Sequence, residues 1–443
     1  MRHRWFTAAA VAVATGTALA AAGCSSAGSS SSASSTGQQS TSGSPVTVGY
    51  WGWVPDMQGV VATWNKAHPG IQVNYTQIAS TAATTKFQTA VQAGNAPCLG
   101  QVSYDNVLSY VADGLLQDVT SEAKQYKSNY LPWTWAQVSP QGTTYGIPQD
   151  TGPVVMYYRA DLFKKYGITP PTTWSEYAAD AVKVHKQYPS VVLGTLSPDD
   201  ADMFQALTWQ NKAVWWSVQG NTWDVSINSS ESQAVAKYWQ QLFDEGVIKI
   251  ADRWAPTFYQ DMNNGTVLSY VGAAWNGSLI QQNVKNGAGQ WRVVQMPVWD
   301  TANPVTANSG GSAVVVLKGC KAPAAALQFA NWLDNSEQSM SVLASPAGGG
   351  LYPASIAAQK YPVVNSDVAF YGNENIYQQF SASAARVNTD WDWGPVQAQV
   401  YTAVGDEISA VANKQTTLPA ALGTIQSGAI SDAKAKGISV EAS

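Results

Sequence analysis

The chain has 443 residues, room for two domains beyond a leader and tail, and 45% of it is hydrophobic, enough for sizeable cores. Only 12% of residues are charged, and without Arg2 and Arg4 the net charge of −5 becomes −7. So acidic and charge-poor a chain lacks the basic patches that nucleic acid or an anionic lipid face requires. The 19 Trp and 20 Tyr are out of proportion to that charge. Most are expected in cores, but such rings also suit a neutral, polar, flat-faced ligand. A sugar fits, with its C–H faces on indole rings and its hydroxyls bonded by Asp, Asn and Gln.

At the N-terminus, Arg2 and Arg4 precede an apolar, alanine-rich stretch over 5–22, and small residues lead into Cys24 in the string LAAAGC. A basic start, an apolar middle and a small-residue cleavage point mark an export signal, expected over 1–23. The alternative is an uncleaved membrane-spanning helix, for which the stretch is nearly long enough. Ala22, Gly23 and the polar run after them favour cleavage. A cysteine at the cut resembles the lipoprotein variant of such signals. That resemblance implies a diacylated Cys24 and a protein anchored on the extracellular face of the cell membrane. Residues 24–45 are rich in Ser, Gly, Thr and Gln and read as a flexible tether with too few apolar groups to fold. If Cys24 carries lipid, Cys98 and Cys320 remain, with one possible connectivity in an oxidising compartment; two buried free thiols are the alternative. Neither has a metal-binding spacing, and no metal or cofactor is expected.

The folded part opens with a strand over 46–51 (VTVGYW). Met57, Val60, Val61 and Trp64 fall at the spacing of a helix with one buried face, which HPG at 68–70 stops. Ile71, Val73 and Tyr75 alternate as a strand. A second helix carries Phe87, Ala90 and Val91, a third strand starts near Cys98, and a helix follows through Val107 to Ala112. Strand and helix in alternation imply parallel βα units. The stretch 143–158 reads as two extended runs around a Gly/Pro-rich centre. Thr173 with Glu176 makes a capping box, as does Ser230 with Gln233, each opening a striped helix. Strands are expected at 191–194, 267–271, 291–297 and 313–317, the last preceded by a glycine turn at 308–311. A helix follows at 322–334, and the C-terminal part is helical with low charge.

In this order the segments resemble those of an extracellular solute-binding protein of an ATP-binding cassette importer, in the maltose-binding-protein-like, sugar-binding group. WNKAHPGIQVNY resembles the opening helix and strand, and FQTAVQAGNAPCLGQVSYDNVLSYVADGLLQDVT the second helix and strand. YGIPQDTGPVVMYYRADLFKKYGITPPTTWSEY resembles the segment that crosses between lobes. MNNGTVLSYVGAAWNGSL, NSGGSAVVVLKGCKAPAAALQFANWL and LYPAS follow in family order. The resemblance implies an α/β fold of two lobes, each a mainly parallel sheet flanked by helices. Carried over, 46–148 with 308–345 would form one lobe and 153–303 with 352–430 the other. Ligand held between them would pull the lobes together, and a lipid tether would keep the closed form near its permease. The expected partners are a carbohydrate, a mono- or oligosaccharide with the aromatic count favouring the longer, and the membrane subunits of the importer. A monomer is expected.

The same resemblance points to site residues. Asp105, in VSYDNV, would accept sugar hydroxyls, its alternative being a helix N-cap. Asp150 lies where the family places a cleft acid, its alternative a turn aspartate. Trp275 follows the small residues VGAA and matches the family's stacking aromatic, against core packing. Trp51 and Trp53 end the first strand, where an α/β sheet presents its cleft, and one of them is expected to face ligand. Tyr104, Gly311 and Tyr352 are further candidates. Trp391, Asp392 and Trp393 suit a lid over the cleft or packing between lobes. The rival classes are a secreted glycoside hydrolase, which needs two flanking carboxylates, and a carbohydrate-binding surface protein, which lacks the crossing order. His68 and His185 sit in a helix end and a helical run, and leave little for a triad or zinc site. No GxSxG, HExxH, Walker or GxGxxG string stands in a convincing context, so a binder and not an enzyme is expected.

Overall fold

The computed structural model describes residues 44–442. The expected signal at 1–23, Cys24 and nearly all of the expected tether at 24–45 lie outside the described residues. The first units form as the spacing predicts. Strand β1 (Val46–Gly52) leads into the helix Met57–Ala67, whose Met57, Val60, Val61 and Trp64 are all buried. That helix is fastened to β2 (Ile71–Gln77) by side chains. Trp64 Nε1 donates to Ile71 O (2.9 Å), while Asn65 donates to Val73 O (2.9 Å) and accepts from Val73 N (2.7 Å). After the helix Ala83–Gln92 comes β3 (Leu99–Ser103), and β1 lies between β2 and β3, parallel to both.

The expected pair of runs around 143–158 is one strand, β4 (Gly146–Arg159), 14 residues long and almost wholly buried. Pro148 does not break it because it lies beside a bulge in β4 itself, where Asp150 and Pro148 face consecutive residues of β11 and the ladder is interrupted. Four short strands follow: β5 (Gly194–Leu196), β6 (Trp216–Gln219), β7 (Thr222–Val225) and β8 (Ile248–Ile250). Then come β9 (Ser269–Ala273), β10 (Trp291–Gln295), β11 (Asn308–Val316), β12 (Tyr352–Pro353) and β13 (Val440–Ala442). The glycines read as a turn at 308–311 belong to β11. The second capping box also shifts: Ser229 caps through Ser232 N–H, one residue earlier than expected. The box at Thr173 and Glu176 forms as expected.

The main sheet runs β10-β4-β11-β3-β1-β2, with β9 and β12 also on β4. It is mixed rather than mainly parallel: β4 is antiparallel to all four of its partners, and β11 is antiparallel to β3. Up to Pro153, β4 pairs with β11 and β12, and from Val154 it pairs with β9 and β10. Its side chains alternate between two cores. Val155 and Tyr157 join Tyr50, Val102, Val314 and Leu333, whereas Val154 and Met156 join Phe204, Trp215, Trp239 and Leu422. The expected division kept 352–430 together. The cores divide it, with Tyr352, Phe380 and Trp393 in the first and Val396 to Ala429 in the second. Cys98, just before β3, is joined to Cys320, just after β11, with Cα atoms 4.5 Å apart. Among the described residues no helix is long and apolar enough to cross a membrane.

Candidate ligand-binding site

Where β3 ends, the helix Tyr104–Ala112 begins, and Asp105 lies in its first turn. It is not the N-cap, which is Ser103, so the capping alternative does not hold. A second acidic helix start, SPDDAD, opens the helix Ala201–Gln210 with Asp200 at its N-cap and Asp202 in its first turn. The neighbouring Asp199 carboxylate accepts from the backbone N–H groups of Arg253 (2.7 Å) and Trp254 (2.9 Å), which fixes the segment that carries both. Arg253 Nη2 then lies 2.8 Å from Asp200 Oδ1 in an ion pair whose side chains are 4% and 2% exposed. Tyr270 OH donates to the other Asp200 oxygen (2.8 Å). Burial pushes the Asp200 carboxyl up and the Arg253 cation works against that push. The guanidinium cannot shed its proton, so a cation always stands against the Asp200 carboxyl.

Three planar groups are assembled beside this pair. The Arg253 guanidinium carbon is 4.0 Å from the Trp254 ring centre and 4.8 Å from that of Trp275. The two indoles are parallel within 9°, their centres 6.4 Å apart. A cation over indole faces is electrostatically favourable and holds all three groups in register. Trp275 is half-buried, and its Nε1 donates to Ser309 O (3.1 Å); Trp254 is 57% exposed. Ser309 Oγ in turn donates to Asp202 Oδ2 (2.6 Å), which ties β11 to the acidic helix. Close approach of these parts depends on two left-handed glycines. A Cβ at Gly310 would meet Trp275 Nε1 at 3.2 Å, and one at Gly311 would meet the Tyr104 ring at 2.8 Å.

The charge balance is unusual. Burial, and then the nearby Asp202, push Asp105 up to about 7. Tyr401, from the helix Gln397–Ala412, lies in the field of Asp105 and Asp202, and its hydroxyl has no protein partner. Arg253 Nε and Nη1 and Asn276 Oδ1 are likewise buried and unpartnered. Unpaired buried donors and acceptors beside exposed indole suit a ligand that brings hydroxyls and an apolar face. Among the described residues no cluster of three or more His, Cys, Asp or Glu is placed to hold a metal ion.

The raised acid gives a pH dependence. Unfolded aspartate ionises near 4, so between about pH 4 and 7 folding takes up a proton at Asp105. Stability should therefore fall as pH rises through that window. Asp105→Asn should reduce this slope in denaturant melts across the window; an unaltered slope would mean that the carboxyl is solvated.

A family model described as bacterial extracellular solute-binding protein matches residues 51–340. The chain belongs to this family. It is 22% identical over 299 residues to the arabinooligosaccharide-binding protein of Bacillus subtilis (strain 168), spanning 65% of this chain and 68% of that protein. The lactose-binding protein of Rhizobium radiobacter is 20% identical over 77% of this chain and 83% of its own. Among solved structures, the galacto-N-biose/lacto-N-biose I-binding protein of an ABC transporter from Bifidobacterium longum, in complex with lacto-N-biose, superposes with a TM-score of 0.81. It is 29% identical and covers 90% of this chain and 100% of that one. The two-lobed α/β architecture is therefore that of the family.

In this solute-binding protein the residues singled out from sequence divide into groups. Asp105 and Trp275 lie at the site, and Gly311 shapes it through Tyr104. Tyr104 is itself buried, with an unpartnered hydroxyl. Asp150 is a layer behind, within β4, where it accepts from Ser312 Oγ (2.6 Å) and burial raises it to about 6. It is a buried strand acid and not a turn aspartate. Trp51 stacks on Phe87 at 6.1 Å, while Trp53 lies past the strand end with its N–H on Gln101 (2.9 Å); both are half-buried. Tyr352 needs correction as a ligand contact. It is 2% exposed in the core, edge-on to Phe380. Trp393 is buried and packs edge-on against Trp209 and Trp391. Asp200, Asp202, Arg253 and Trp254 were missed. An acid-rich helix start and an aromatic next to the only arginine within forty residues on its N-terminal side were the available signals.

Proposed function

We propose that this solute-binding protein captures an oligosaccharide between the helix that carries Asp105 and the Trp254–Arg253–Trp275 stack. In this reading β4 is the crossing segment, changing partners at Pro153 between a lobe built on β1–β3 and one built on the helices after Asp200. Closing on ligand brings Asp105 and Asp202 onto its hydroxyls while the indoles cover its apolar face. The observation that carries the reading is the stack itself, an exposed tryptophan held rigidly beside buried polar atoms that lack partners. Relatives named for arabinooligosaccharide, lactose and lacto-N-biose support the ligand class. The loaded form is delivered to the membrane subunits of an ABC importer, intact and without hydrolysis.

Thermal-shift screening against a panel of mono- and oligosaccharides identifies the ligand, because a molecule that binds only the folded form raises Tm. On that ligand, Trp275→Ala should weaken binding by about 1–3 kcal/mol, the scale of one large apolar contact. Unchanged affinity with a stability loss of about 3–5 kcal/mol would make Trp275 a core residue and end this reading of the site. We also propose that a lipid on Cys24 holds the mature protein at the extracellular face. Cys24→Ser should then release a folded protein from the membrane fraction; partitioning like the parent would disprove the anchor.

A further inference from the structure

The helix Ala201–Gln210 carries Asp202 at its start and Trp209 near its end, about 10 Å further along. Around Trp209 lies a second aromatic centre. Trp391 stacks on it with ring centres 3.7 Å apart and planes within 10°, and Trp393 meets both edge-on at 4.7 and 4.6 Å. Trp391 and Trp393 line a groove of about 310 Å³, with Trp209 packed behind them. One wall is Trp133 with Gln137, from the helix Pro132–Gln137, and the other is Trp223 with Asp392. Trp393 Nε1 donates to Gln137 Oε1 and so links floor to wall.

Two features separate this groove from ordinary packing. Trp133 lines the groove and is half-buried, and among the described residues it belongs to neither core and pairs with no other ring. Polar groups accompany the rings: the Asp392 carboxyl is raised by partial burial, and Gln141 and Thr389 lie at the rim. Indole faces with acceptors and amides interleaved match a sugar ring better than they match a protein side chain or an acyl chain.

We infer that this groove is a second carbohydrate subsite, which takes the distal units of an oligosaccharide whose first units occupy the Trp275 site. The inference rests on the proposed function and adds to it a preference for chain length. The shared helix supplies the continuity, with Asp202 of its first turn at one site and Trp209 of its last packed behind the rings that line the other. Trp133 is the specificity-determining residue, because its ring is the least constrained by the fold.

The test is calorimetric titration of arabino-oligosaccharides and β-1,6-galacto-oligosaccharides from disaccharide to hexasaccharide. Parent, Trp133→Ala and Trp275→Ala proteins are compared. Trp133→Ala should weaken the longer members by about ten- to a hundredfold and leave the disaccharide unaffected, whereas Trp275→Ala weakens every length. Equal affinity of parent and Trp133→Ala at every length would overturn the subsite while leaving the Trp275 site standing. Loss of the disaccharide as well, to the same factor, would also overturn it, since a distal subsite cannot touch the shortest ligand. Failure of the parent to bind any member, or indifference to Trp275→Ala, counts against both readings. A fluorine label on Trp133, followed by NMR, provides a second readout. Its resonance should move with the hexasaccharide and stay in place with the disaccharide.

Discussion

Arg253→Ala should cost the folded protein about 3–5 kcal/mol, the usual penalty for removing one partner of a buried ion pair. The magnitude follows from what remains. Asp200 would keep Tyr270 as a donor but stay in a site with 2% side-chain exposure and Asp202 close by. Asp200→Ala should be comparably harmful, because the guanidinium then keeps its charge with no counter-ion in contact. The double variant should lose much less than the sum of the two, since no charge is left stranded. Denaturant melts of the three variants give the coupling directly. Single-variant losses below about 1 kcal/mol, typical of exposed pairs, would show that water reaches the pair. Sugar affinity should fall with Arg253→Ala as well, because the guanidinium packs against both indoles.

The second large effect concerns Cys98 and Cys320. They are 222 residues apart in sequence, and a cross-link over so long a segment removes much freedom from the unfolded chain. Replacing both by serine should lower stability by about 3–5 kcal/mol under oxidising conditions, with no difference once the parent is reduced. Peptide mapping without reductant should recover the two cysteines in one linked fragment. Recovery of both as free thiols would refute the bridge and leave them as buried side chains.

Much of the fold was legible because its helices are amphipathic. The stripe Met57, Val60, Val61, Trp64 is buried as its spacing requires, and Thr173 with Glu176 marks a helix start through chemistry that needs no tertiary information. Sheet neighbours were less legible. Pro148, Gly152 and Pro153 look like breaks in a strand, yet β4 runs through them because its ladder with β11 is irregular at both places. Parallel pairing was read from alternating strands and helices, and holds for β2–β1–β3. The antiparallel partners of β4 come from distant segments and leave no local mark. The candidate site was legible where a residue sits at a strand-to-helix junction, as Asp105 and Trp275 do. It was illegible where the decisive contact is between distant segments. Nothing near Arg253 announces Asp200, and nothing near Tyr352 announces that Phe380 covers its ring.

The position of β11 sets the order in which the molecule can be completed. β3 lies between β1 and β11 in the sheet, yet β11 begins at Asn308, some two hundred residues after β3 ends. Until that strand has been made, one edge of β3 is unpaired, and β4 lacks its link to β3 through β11. Contacts of such sequence separation form slowly, because a long loop must close before they return any free energy. A growing chain therefore cannot finish its central sheet early, and the unpaired edge of β3 stays open to wrong partners until the segment around β11 has been made.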